Sequence, residues 1–300
     1  MFMNLRTHQV TLARELEFKG TGLHSGFQVV LRLSPAPPNT GVIFRRPDLS
    51  GFQIEALRCN VAKVNYATTL MKRGVMISTV EHVLSAIYGL GVDNVYIDVD
   101  SLEVPILDGS AKPYVDAIRK AGLKTQGASR EYIQILEPFA WMENGKSVCV
   151  EPCDTFRASC VIEFSHPLIG RQELDLVLVP EQYGREVCYA RTFGFYREVE
   201  TMLKNNLIRG GSFDNAIVLS DDGIMNGELR QPDEFVRHKM LDLIGDVALL
   251  GKPLLGHLKA YRAGHAAHAT FVGKLLKQKS AYRIATLEGA RDPEKRKSRS

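Results

Sequence analysis

Lys124-Thr125-Gln126-Gly127-Ala128-Ser129-Arg130 is a polar stretch near the middle of the 300-residue chain, with no apolar side chain larger than Ala. It reads as a linker, with a domain boundary placed at Gln126. Upstream, Val10-Thr11-Leu12-Ala13, Val29 to Leu33, Val42 to Phe44 and Asn94 to Val99 have the β-branched, alternating character of strands. Helices are expected at Thr79–Tyr88 and Pro113–Ala121, the first ending at Gly89 and Gly91, the second at Gly122. Downstream, strands are expected at Val148–Val150, Ala158–Phe164 and Leu174–Val179, and helices at Tyr196–Lys204, Phe235–Leu250 and Ala266–Lys277. Each half runs strands first and helices later, so the expectation is α+β twice over, in domains 1–126 and 127–300.

Composition excludes several function classes. The chain is 45% apolar and 24% charged, as an ordinary globular protein is. Of its net charge of +4, the segment Arg291 to Ser300 supplies +3. The remainder is near neutral, so no nucleic-acid partner is expected and the tail reads as a solvated end. The five cysteines, Cys59, Cys149, Cys153, Cys160 and Cys188, form no C-x-x-C pair and read as reduced thiols in a cytoplasmic protein. Neither a signal peptide nor a membrane span is expected.

Familiar loops fail on inspection. Ala140 to Ser147 fits a relaxed phosphate-loop spacing, but it carries Trp141, Met142 and Glu143, and a strand rather than a helix follows. Asn144-Gly145 between two strand-like runs signals a hairpin instead. Gly20-Thr21-Gly22 and Gly89-Leu90-Gly91 lack a third glycine, and Gly210-Gly211-Ser212 is no nucleophile elbow.

One constellation survives. His238, Asp242 and Asp246 recur every four residues along a helix whose other positions include Met240, Leu241, Leu243, Ile244 and Val247. A polar line on a buried helix needs partners or a ligand, and a His–Asp pair at this spacing can share a metal ion. A third ligand must come from elsewhere. His82, His265 and His268 compete for that place, and spacing does not choose among them. Glu81, beside His82, sits at the third position of a capping box, Ser78-Thr79-Val80-Glu81.

Seven ordered motifs now resemble a known family. They are Gly22-Leu23-His24-Ser25-Gly26, Thr79-Val80-Glu81-His82, Val104 to Ala111, Ala190 to Phe195, Gly210 to Ala216, His238 to Asp246 and Gly264-His265. Together they look like the UDP-3-O-acyl-N-acetylglucosamine deacetylases, zinc amidases of lipid A biosynthesis in Gram-negative bacteria. The resemblance implies two α+β domains, each a sheet with two helices, with the helix layers packed together between the sheets. It implies one Zn²⁺ per chain, with Fe²⁺ as the alternative ion, held by His82, His238 and Asp242. Glu81 would be the general base, His265 the imidazolium that protonates the leaving amine, Asp246 its orienting partner and Thr192 an oxyanion donor.

For substrate, the resemblance implies a cytoplasmic monomer that removes the N-acetyl group from UDP-3-O-(3-hydroxyacyl)-N-acetylglucosamine, the committed step of lipid A synthesis. Lys239, Lys146 and Arg262 would face the diphosphate, while Phe164, Glu163 and Phe193 would flank the nucleotide-sugar. Val199, Leu207, Ile208, Gly211, Ser212 and Ala216 would line an acyl passage. A metal amidase acting on another acylated nucleotide sugar, or a silent binder of such sugars or acyl chains, is the alternative. After Gly264-His265-Ala266 members often read Leu-Asn-Asn, whereas Ala267-His268-Ala269 stands here, and His268 is expected on the helix surface.

Overall fold

Val29, Leu31 and Leu33 are buried in alternation along Gln28–Pro35, and Val95, Ile97 and Val99 along Val95–Val99. That pleated, one-faced pattern makes both central strands of a five-stranded sheet. Its order is Leu16–Thr21, Gln28–Pro35, Val95–Val99, Val42–Arg46, Phe52–Glu55, antiparallel except where Val42–Arg46 runs parallel to Val95–Val99. The computed structural model describes residues 5–204 and 207–287. The basic tail from Arg291 to Ser300 lies outside the described residues.

The second half is built on a seven-stranded sheet around Leu254–Tyr261. This strand is antiparallel to Lys146–Glu151 and parallel to Phe156–Glu163, and its first residues run parallel to Glu131–Ile135. The hairpin predicted at Asn144-Gly145 is present. Both residues have positive φ, 50° and 71°, as a two-residue turn that matches strand twist requires, and Glu143 pairs with Lys146.

The expected linker is not one. Leu123–Ser129 is a strand, antiparallel to His8–Leu12. Its polarity has a physical reason: this two-stranded ribbon leaves Lys124, Thr125 and Ser129 exposed. Gln126 works inward, accepting from Asn94 Nδ2 at 2.7 Å and donating to Ala36 O at 2.8 Å. Among the described residues every strand pairing stays either within 8–129 or within 131–286.

Among the described residues there are six α-helices, in chain order α1 Glu81–Gly89, α2 Lys112–Ala121, α3 Pro180–Glu186, α4 Tyr196–Lys204, α5 Glu234–Val247 and α6 His265–Lys277. The short α3 was not anticipated, whereas α5 stops three residues before the predicted end, where a 3₁₀ turn runs to Leu250 and Gly251 takes a positive φ of 79°. α2 lies against Leu16–Thr21, and α5 and α6 lie on the larger sheet. α1 crosses α5 at Gly245, where an added Cβ would stand 2.2 Å from the Glu81 carbonyl oxygen. The two buried helices therefore meet backbone to backbone, with Val83, Leu84, Leu241 and Ile244 filling the surrounding core. Among the described residues no helix is long and apolar enough to cross a membrane.

Candidate active site

The crossing of α1 and α5 decides which side chains meet. Just before α1, Thr79 takes a left-handed φ of 58°, uncommon for a β-branched residue. Its hydroxyl donates to Glu103 Oε1 at 2.8 Å, and the fully buried Glu103 also accepts from the Ser25 backbone N–H at 2.7 Å. The predicted capping box is therefore absent. Val80 precedes the helix without a side-chain cap, and Glu81 starts it, its carboxylate accepting from the Thr68 N–H at 3.1 Å. The carboxylate is freed from capping and faces the interior.

His82, His238 and Asp242 come together as one buried group whose candidate ligand atoms all lie within 4.8 Å of one another. Asp242 Oδ1 stands 3.4 Å from His238 Nε2 and 3.8 Å from His82 Nε2, and has no hydrogen-bond partner. A buried carboxylate oxygen without a donor is costly, and a cation would satisfy it. The other atoms of this group support that use. Asp242 Oδ2 accepts from Lys239 Nζ at 2.8 Å, and His238 Nδ1 donates to Ala190 O at 3.1 Å, which leaves Nε2 with a free lone pair. Burial pushes His82 down to about 4 and His238 to about 3, so both rings are neutral, the form that ligates. Burial works against ionisation of Asp242, but His238, once protonated in acid, and the Lys239 ammonium outweigh it and hold it well below the usual carboxylate range. The donor set fits a tetrahedral N/O site with one open position.

One turn further along α5, Asp246 meets α6. Asp246 Oδ2 accepts from His265 Nδ1 at 2.7 Å and from His268 Nδ1 at 2.8 Å, while Thr68 Oγ1 donates to Oδ1 at 2.6 Å. His268 is thus buried, contrary to the surface position expected of it, because α6 turns positions three residues apart toward the same side. Burial disfavours a charged His265, yet the Asp246 carboxylate outweighs it and raises the ring to about 10. His265 Nε2 reaches within 3.8 Å of Glu81 Oε1. Burial pushes Glu81 up to about 7 against the pull of that imidazolium. A base close to neutrality and a charged acid therefore face each other beside the metal group.

Glu81, His82, His238, Lys239, Asp242, His265, Thr192 and Phe193 line one cavity of about 590 Å³. Val199, Ile208, Gly211, Ser212 and Ala216 line the same cavity, with Met202 and Val218, and its lining is largely apolar. Leu207 does not join them. It is 46% exposed and contributes its carbonyl to His24 Nδ1 at 2.8 Å.

Of the residues expected at the nucleotide, Lys146, Glu163, Phe164 and Arg262 gather at one end of the larger sheet, whereas Lys239 is on α5 and Phe193 in a separate two-stranded sheet. Tyr261 pairs with Ser147 and Val161, which sets Arg262 beside Lys146 on one side and near Glu163 on the other. Arg262 comes within 3.6 Å of Glu163 Oε2, Tyr261 OH donates to the same oxygen, and Lys146 is exposed. Phe164 sits 5.8 Å from Phe193, centroid to centroid, which links this edge to the cavity.

Sequence reasoning did not single out Thr68 or Glu103, and it weighed His268 as a third ligand before placing it on the helix surface. His268 had a signal in its spacing from His265. Thr68 lies on a loop and Glu103 in an irregular segment, so neither carried a periodicity to read.

Comparison with known proteins agrees with the geometry. Residues 9–277 match the family model described as LpxC, UDP-3-O-acyl N-acetylglycosamine deacetylase. A protein of Solibacter usitatus named UDP-3-O-acyl-N-acetylglucosamine deacetylase is 48% identical over 281 residues, 93% of this chain and 95% of its own length. Proteins of the same name from Myxococcus xanthus and Coxiella burnetii are 44% and 46% identical, over 92% and 93% of this chain and 89% and 94% of their own lengths.

Proposed function

The chain belongs to the UDP-3-O-acyl-N-acetylglucosamine deacetylase family, and from that premise we propose that it hydrolyses the N-acetyl group of UDP-3-O-(3-hydroxyacyl)-N-acetylglucosamine to acetate and the free amine. Membership makes it a metalloenzyme, and zinc is the metal proposed, held by His82, His238 and Asp242. The observation that carries the reading is the unpartnered Asp242 Oδ1 facing two neutral imidazoles in a cavity that Glu81 and His265 share. The further context proposed is a cytoplasmic, monomeric enzyme of lipid A synthesis, with the chain divided between Ser129 and Glu131, a few residues beyond the expected Gln126.

When bound, Zn²⁺ acidifies water and polarises a carbonyl oxygen. The protein's own groups do the rest. Glu81, as carboxylate, takes a proton from the attacking water as the new C–O bond forms. Thr192 donates its hydroxyl to the developing oxyanion. His265 gives its Nε2 proton to the amine as the C–N bond breaks, and Asp246 holds the ring by Nδ1. Lys146, Lys239 and Arg262 offer cations to the diphosphate, and Phe164 a stacking face to the base. The passage beyond Phe193 takes the acyl chain, each buried methylene contributing about 0.8 kcal/mol.

Acetate release from the UDP-linked substrate by the zinc-loaded protein tests this reading. Release that a chelator abolishes and zinc restores supports it, and no release with zinc present sinks it.

A further inference from the structure

Asp246 has two carboxylate oxygens and three donors, from two separate segments, a loop and α6. Thr68, on a loop, holds Oδ1, while His265 and His268 donate to the same Oδ2. The two rings stand edge to face, their centroids 6.4 Å apart, and His268 is the deeper of the two, only 1% exposed. We propose that His268 is a positioning residue for proton transfer by His265, acting through the Asp246 oxygen the two rings share. The inference rests on the reading of His265 as the acid.

The physical case has two parts. A carboxylate held at one point swings about its χ2, and His265 swings with it. Three donors leave Asp246 one orientation, which aims His265 Nε2 toward Glu81. In addition, an N–H given to Oδ2 stabilises the carboxylate's charge and weakens its hold on the His265 proton. The charged or titratable groups facing His265 are Asp246 and Asp242 on α5, Glu81 and the neutral His82 on α1, and His268 on α6 itself, with the neutral Thr68 hydroxyl beside them. Of these, His268 alone is a ring donor on the oxygen that His265 uses. Removing its N–H should make His265 hold its proton more tightly and less steadily oriented.

The test compares His268→Leu, which keeps bulk without a donor, with His268→Asn, whose side-chain N–H stands where Nδ1 stood. In the zinc-loaded protein, His268→Leu is expected to lower kcat about tenfold with KM within about twofold, as loss of one buried hydrogen bond would. Its alkaline limb of activity should move up by about half a pH unit or more. His268→Asn should bring kcat to within about threefold of the wild type and return the limb. A His268→Leu protein with wild-type kcat and profile overturns the proposal, as does a His268→Asn protein equally impaired. So does a lowered kcat with an unmoved limb, the mark of a merely structural role. If His268→Leu does not fold, His268→Ser, too short to reach Oδ2, carries the same expectations. His265→Ala separates the two levels: if it stays active, the reading of the acid fails and this proposal with it. If it is dead while the His268 variants behave as wild type, only this proposal fails.

Discussion

Helix α5 contributes the aspartates of two His–His–Asp groups one turn apart, and the groups differ in hydrogen bonding and in charge. In the group at Asp242 one carboxylate oxygen has no donor, and both histidines are neutral. In the group at Asp246 both oxygens are taken by N–H and O–H donors, and His265 is charged. The same residue types therefore support opposite uses. An oxygen left without a proton donor in the interior waits for a cation, whereas one saturated by donors stores a proton. Geometry within 5 Å does not separate them, because either group brings its ligand atoms close enough for a metal. Hydrogen-bond accounting does.

The largest expected effect breaks the first group: His82→Ala should lose nearly all bound zinc and all measurable acetate release, read by metal analysis and by assay. Glu81→Gln keeps the metal but removes the base, so kcat should fall about a thousandfold with zinc content unchanged. The pH profile sharpens the contrast. Glu81 must be ionised, so activity rises as pH passes its value of about 7 in the metal-free protein, a limb that a bound dication moves lower. His265 must be protonated, so activity falls as pH passes about 10. A bell with those limbs is expected from kcat against pH, and His265→Ala should lose nearly all turnover, with no alkaline limb in whatever residual rate it keeps. Gly245→Ala tests the crossing that brings the halves together. The added methyl meets the Glu81 carbonyl, and a loss of about 2 kcal/mol in unfolding free energy is expected from denaturant titration. The smallest effect is at the sheet edge, where Lys146→Ala should raise KM about tenfold and leave kcat unchanged.

The sequence showed the α+β class, the paired order of strands and helices, and the buried polar line of α5, because each has a period that one chain can display. It also showed the Asn144-Gly145 hairpin, whose turn chemistry is local. What it hid was set by tertiary contact. The stretch around Gln126 reads as linker because its polar residues serve a two-stranded ribbon and a buried amide network. The capping box at Ser78 dissolved because Glu103, distant in sequence, takes the Thr79 hydroxyl. His268 was assigned to a surface because a helix shows its period but not which face its neighbours cover.

Zinc stoichiometry in a matched pair of variants tests the central claim most directly. Asp242→Asn and Asp246→Asn make the same chemical change, one in each group. The account predicts that Asp242→Asn loses most of its zinc, while Asp246→Asn retains about one ion per chain and loses turnover instead. Equal zinc in the two variants, or zinc lost from Asp246→Asn and kept by Asp242→Asn, would contradict it.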